Sequence, residues 1–156
     1  IPLGRGHSMS HQTLHPDEVW ELFVRMDKKR AKENGKTQIA MHRALQFMVA
    51  GGTPYRCSAG DTLLTILANG DLVPCRRMPI VVGNTMRSDL AELYFGANLF
   101  RQLRDETRIS AGCKKCRHAL TCRGGSRCLA YAIHGDPFRA DPGCWVSGQH
   151  HCLEVA

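Results

Sequence analysis

No apolar run in this chain approaches the roughly twenty residues that a membrane-spanning helix needs, and its N-terminus lacks the basic-then-apolar layout of a signal peptide. Both absences point to a cytoplasmic protein. A Ser-His-Asp set, a phosphate-cradling glycine loop and a carboxylate pair with more than chance support are all missing, which leaves triad hydrolysis and nucleotide binding without a residue basis. There is no internal repeat, low-complexity tract or convincing linker, so the 156 residues read as about one ordinary domain. Cysteine is present eight times, but at about 5% of residues it falls short of a small disulfide scaffold. Metal or redox chemistry is the better expectation.

The chain opens at Ile1 rather than Met and runs directly into Pro2, Gly4, Arg5 and Gly6, which suggests a piece of a longer protein. Hydrophobic residues make up 43% and charged residues 22%, the balance of a folded, soluble domain. The net charge of +7 raises the question of nucleic acid. Lys28, Lys29, Arg30 and Lys32, however, fall at the end of an expected helix, where cations are favourable in any case. Nucleic acid is therefore not the expected partner. The remaining cations cluster beside cysteines, as Lys114, Lys115, Arg117, Arg123 and Arg127, where they would offset the negative charge of a thiolate-ligated cluster.

Pro16, Asp17 and Glu18 are good first-turn residues, and Val19, Leu22, Phe23 and Met26 recur at helical spacing until Asn34-Gly35. Residues 39 to 50 suit a short helix stopped by Gly51-Gly52, with a strand from Ile39 as the alternative. Thr62 to Pro74 reads as strand, turn, strand around Asn69-Gly70, a type I′ hairpin signal. That hairpin separates Cys57 from Cys75 and would draw them towards a shared metal site at its open end. Residues 88 to 106 read as helix with a weak point at Gly96, and Ser126 to Ile133 as a second, short one. Loops at Gly135-Asp136-Pro137 and Asp141-Pro142-Gly143 then deliver Cys144.

Cys113-x2-Cys116-x5-Cys122 packs three soft ligands into ten residues, a length that wraps one compact metal centre. The fourth ligand must come from farther along the chain. Cys144, behind its turn-rich loop, is the leading choice over Cys128. The Gly124-Gly125 pair would let the backbone approach an inorganic cluster closely. A structural zinc site also uses C-x2-C and four thiolates, and spacing tilts only modestly from it towards iron-sulfur, because a zinc ribbon normally pairs two such units. Disulfides are a third reading, without support from any sign of secretion.

Cys57, x12, Gly70, x4, Cys75, a gap, then Cys113-x2-Cys116-x5-Cys122 and a final Cys144 resemble the SPASM domain, the C-terminal auxiliary-cluster module of radical SAM enzymes. The opening Pro2-Leu3-Gly4-Arg5-Gly6, followed by a helix, looks like the last strand and helix of the radical SAM partial barrel. The resemblance implies an α+β fold, a β-hairpin and short helices around [4Fe-4S] clusters, preceded by those barrel elements. It divides the chain into a barrel remnant at 1–50, the SPASM-like domain at 51–148 and a tail at 149–156.

It also implies that Cys113, Cys116, Cys122 and Cys144 hold one [4Fe-4S] cluster, while Cys57 and Cys75 hold a second together with a cysteine four residues after Cys122. Ser126 stands at that position. Cys128 could substitute, Ser126 could ligate through oxygen, or the second site could be partly open or empty. The Gly-Gly-Ser form is similar to SPASM-like enzymes that act on tetrapyrroles. A further departure is that no two cysteines are spaced x3, so the C-x3-C-x2-C loop that cleaves S-adenosyl-L-methionine is absent and this chain alone should be inactive in that step. The implied partners are the missing N-terminal radical SAM barrel, on the same or a separate chain, a peptide or small-molecule substrate, and an electron donor. The competing class is a non-catalytic zinc module binding a protein or RNA.

Among other residues, His118 reads more readily as a surface histidine than as a ligand, and His150, His151 and Cys152 as a fraying terminus. Trp145 is expected to cover the cluster from solvent. Asp136 and Asp141 each precede a proline, and turn formation explains both.

Overall fold

The computed structural model describes residues 4–32, 40 and 43–148. The chain divides into two compact units, one made of Ile1–Cys57 with Ile109–Ala156 and the other of Ser58–Arg108.

In the first unit Gly4–Gln12 form a 3-10 helix. Gly4, Arg5 and Gly6 therefore begin a helix rather than belong to a strand; Pro2 and Leu3 lie outside the described residues. Helix α1 spans Pro16–Lys32. Its start follows from Pro16 and from Glu18, whose Oε2 accepts the His15 amide at 2.7 Å, and its last turn carries Lys29, Arg30 and Lys32 at the negative end of the dipole. Asn34-Gly35 lies outside the described residues. The buried stripe of α1 is narrower than expected. Phe23 is buried and Val19 and Met26 pack beside it, whereas Leu22, expected on this face, and Trp20 stay exposed.

The expected helix over 39–50 shrinks to α2, Phe47–Ala50, after a turn through Ala44, Leu45 and Gln46. Gly51 stops it at φ 71°. Three further short helices belong to this unit: α5 at Ala119–Cys122, α6 at Arg127–His134 and α7 at Trp145–Gly148. Helix α6 matches the expected Ser126–Ile133 within a residue, and Gly135 closes it at φ 68°. The core of the unit is Phe23, Leu45 and Trp145, with Met48, Val49, Cys122 and Cys144 packed against it. The segment before Cys57 and the segment after Ile109 thus share one apolar centre.

The second unit is a three-stranded antiparallel sheet, β1 (Thr65–Ile66), β2 (Asp71–Val73) and β3 (Gly83–Asn84), followed by α3 (Leu90–Gly96) and α4 (Asn98–Arg104). Thr65 pairs with Val73 and Ile66 with Leu72, so the expected hairpin exists with shorter strands. Its turn is not type I′, which needs positive φ at both central residues. Here Gly70 alone has positive φ, at 85°, its amide bonds Leu67 O at 2.9 Å and the Leu67 amide bonds Asp71 O at 2.9 Å, a three-residue loop. Strand β3, which the sequence reading did not anticipate, fixes that shape: Asn84 Nδ2 donates to Asn69 O and to Asp71 Oδ1, both at 2.9 Å.

The long helix expected over 88–106 breaks at Ala97, which is extended at φ −64°, ψ 125°. Asp89 caps α3, accepting from the amides of Ala91 and Glu92 at 2.8 and 3.1 Å. Leu72, Val73, Met78 and Phe100 are wholly buried. Arg104 lies 4.2 Å above the Tyr94 ring and donates to Tyr94 O and Gly60 O. The architecture is mixed helix and small antiparallel sheet, the coarse α+β class expected.

Candidate metal centre

Cys113, Cys116, Cys122 and Cys144 line one small cavity of about 20 Å³ in the first unit. Short-range turns deliver them. The Cys113 amide bonds Ser110 O and the Cys116 amide bonds Cys113 O, each at 2.9 Å, so the C-x2-C segment is one tight turn leading into α5. Helix α5 ends on Cys122, after which Arg123, Gly124 and Gly125 take left-handed conformations at φ 57°, 87° and 75°. Cys144 arrives from the other direction, its amide bonded to Asp141 O at 2.9 Å.

The electrostatics show that these sulfurs act on one another. Burial pushes the Cys113 thiol from the ordinary 9.0 up to about 11, and Cys144, Cys116 and Asp141 add to the rise. Burial likewise lifts Cys122 to about 11, with further contributions from Cys144 and Cys113, opposed by amide bonds from Gly125 and Gly124. The His118 amide donates to Cys116 Sγ at 3.4 Å. Cys113 and Cys122, whose ionisation the neighbouring sulfurs oppose, sit in a cavity supplied with N–H···S donors, a donor set that a cationic iron or zinc centre would stabilise. None of the seven described cysteines is in a disulfide. Among the described residues no group of three or more His, Cys, Asp and Glu side chains is arranged to hold a single metal ion.

The cavity has members that sequence reasoning missed. Leu45 and Met48 supply an apolar wall, and His118 faces the same space, its ring edge-on to Phe47 at 5.1 Å. Burial, then Arg117, lowers the pKa of His118, and the half-buried ring is not the surface histidine expected. Asp141 is 3% exposed, so turn formation is not its whole role. Its Oδ2 accepts the Ser126 amide at 2.8 Å and its Oδ1 the Gly143 amide at 2.9 Å. Burial raises its pKa, against the pull of those amides and of Arg43. Trp145 belongs to the core, edge-on to Phe23, rather than to the cavity wall. The close approach that Gly125 permits is to protein: a Cβ there would lie 2.7 Å from that of Asp141.

Cys128 sits on the first turn of α6, its Sγ 3.3 Å from Ser126 Oγ. Cys57 belongs to the first unit and Cys75 to the second. Cys75 follows β2 and accepts the Arg77 amide at 3.5 Å. Of the cations expected near the cysteines, Lys114, Lys115 and Arg117 are exposed, while Arg123 and Arg127 are buried. Arg127 lies 5.2 Å above the Phe138 ring. Cys152, His150 and His151 lie outside the described residues.

Residues 57–117 match the SPASM family, described as an iron-sulfur cluster-binding domain. The chain is 27% identical to an AdoMet-dependent heme synthase of Methanosarcina barkeri, over 78% of this chain and 33% of that protein. It is 29% identical to a PqqA peptide cyclase of Streptomyces rochei, over 62% of this chain and 28% of the relative. A second AdoMet-dependent heme synthase, of Nitratidesulfovibrio vulgaris, is 27% identical over 92% of this chain and 44% of its own length. The chain thus spans less than half the length of these curated relatives. No solved structure matches it. The matched segment includes Cys57, Cys75, Cys113 and Cys116, and over residues 57–117 the chain is similar to the SPASM iron-sulfur cluster-binding domain.

Proposed function

We propose that the chain is the auxiliary-cluster portion of a radical SAM enzyme and that Cys113, Cys116, Cys122 and Cys144 are the ligands of a [4Fe-4S] cluster. One observation carries the reading: four cysteines from two separate segments share one cavity. A cluster bound there would supply one-electron chemistry or an anchoring iron. The chain's own part is ligation, amide bonds to the sulfurs from Gly124, Gly125 and His118, and exclusion of water by Leu45 and Met48. Zinc is the weaker alternative, because the family that residues 57–117 match is described as iron-sulfur cluster-binding.

A second cluster on Cys57 and Cys75, completed by Cys128 or Ser126, is part of the proposal. So are an N-terminal radical SAM barrel on the same or another chain, an electron donor and a cytoplasmic setting. Among the described residues no helix is long and apolar enough to cross a membrane. The division into 1–50, 51–148 and 149–156 describes chain order in such an enzyme; packing joins residues on both sides of position 50. For substrate, one set of relatives is named for heme synthesis and another for cyclising the peptide PqqA, which supports a peptide or a tetrapyrrole.

Anaerobic purification with iron and acid-labile sulfide counts and an absorption spectrum tests the reading. About eight irons per chain are expected for two clusters and about four for the Cys113–Cys144 site alone. Zinc without sulfide would refute it.

A further inference from the structure

Asp141 makes more connections than a turn before proline requires. Its carboxylate reaches Ser126 across fifteen positions of sequence and, with the other oxygen, Gly143. Its main chain adds two more bonds, from its own amide to Gly124 O and from the Cys144 amide to its carbonyl, both 2.9 Å. One buried residue therefore ties together the left-handed segment behind Cys122, the start of α6 and the loop carrying Cys144. We infer that Asp141 is a positioning residue that sets Cys144 against Cys122 and makes the cavity a preformed ligand set. The inference rests on the cluster reading above for its purpose, though not for its geometry.

Both oxygens accept from backbone amides, so the side chain must be an acceptor at each end. Asparagine has the same shape but one end is a donor, which would face an N–H in either orientation. Gly125 fits the same scheme. It has no Cβ, and one placed there would stand 2.9 Å from Asp141 Oδ2, in the space the carboxylate occupies. The carboxylate also adds a fixed negative charge beside the thiols: Asp141 is among the groups acting on Cys113.

Two measurements on the full chain test the assignment. In the metal-free, 15N-labelled protein the amides of Ser126 and Gly143 should exchange with solvent at least tenfold more slowly than those of the exposed Lys114 and Lys115. Asp141→Asn should accelerate one or both by at least tenfold. Fast exchange at both positions in the parent overturns the inference whatever the variant does, so a variant that fails to fold leaves the test intact.

After anaerobic loading, the midpoint potential of bound iron-sulfur in Asp141→Asn should move positive, since a negative charge beside the thiols is lost. Asp141→Glu, which keeps the charge, should stay closer to the parent. A loaded fraction of Asp141→Asn with the parent's potential would make Asp141 merely structural and sink the positioning role. If the parent binds no iron and sulfide, the cluster reading fails while the exchange data still decide the clamp.

Discussion

The Phe23 ring on α1 meets the Trp145 ring edge-on, 5.9 Å between centroids and 65° between planes, one residue from Cys144. A helix from early in the chain is thereby packed against the residue next to a candidate ligand. Phe23→Ala should cost about 3–5 kcal/mol of stability, by lost transfer energy and the cavity left behind. Thermal melts of the metal-free chain measure that loss. The rate of iron loss to a chelator should rise in the same variant, and an unchanged rate would uncouple α1 from the centre.

Removing one ligand tests the assignment of four. Cys116→Ala should lower the iron content by about four per chain, with loss of the matching visible absorption. Cys128→Ala separates the two centres: it should spare the Cys113–Cys144 iron and lower only the remainder. If the Cys116→Ala/Cys128→Ala double variant loses no more iron than either single variant, both cysteines belong to one centre.

The raised thiols give the metal-free protein a distinctive alkaline limit. Cys113 and Cys122 ionise near 11 when folded and near the ordinary 9.0 otherwise. Between those values the unfolded chain has released protons that the folded chain keeps. Stability is therefore fully present below pH 9 and falls as pH rises through about 11. Urea unfolding as a function of pH reads this directly. Substituting Cys113 by Ser should flatten part of the decline.

Gly125→Ala should destabilise the chain by about 1–3 kcal/mol, because alanine is strained at positive φ and its Cβ would stand 2.7 Å from that of Asp141. Gly51→Ala is the control, since it too has positive φ but nothing within 4 Å. The excess of the first loss over the second measures crowding alone. Equal losses would remove the steric argument for Gly125.

The cysteine spacing stands out in the sequence because metal ligation would fix residue type and interval together. Cys113, Cys116, Cys122 and Cys144 were found from sequence and share a cavity. What escaped was set by contacts between distant segments. Asp141-Pro142-Gly143 looks like a turn and is one, but its bond to Ser126 has no local signal. Trp145 beside a cysteine suggested a cover, and only the fold reveals Phe23 as its neighbour. Strand β3 is two residues, Gly83 and Asn84, too short and too polar for alternation to register. Asn69-Gly70 carried the right turn signal, yet β3 selected a different loop.

The first unit is discontinuous in sequence, with Ser58–Arg108 set between its two parts. During synthesis Leu45 and Met48 emerge long before Cys144, by about 5–20 s at ordinary translation rates. Cys113, Cys116 and Cys122 emerge within that interval, ahead of Cys144. On the proposed ligand assignment the fourth thiol is the last to arrive, so a cluster in this cavity would be completed only after Cys144 has emerged.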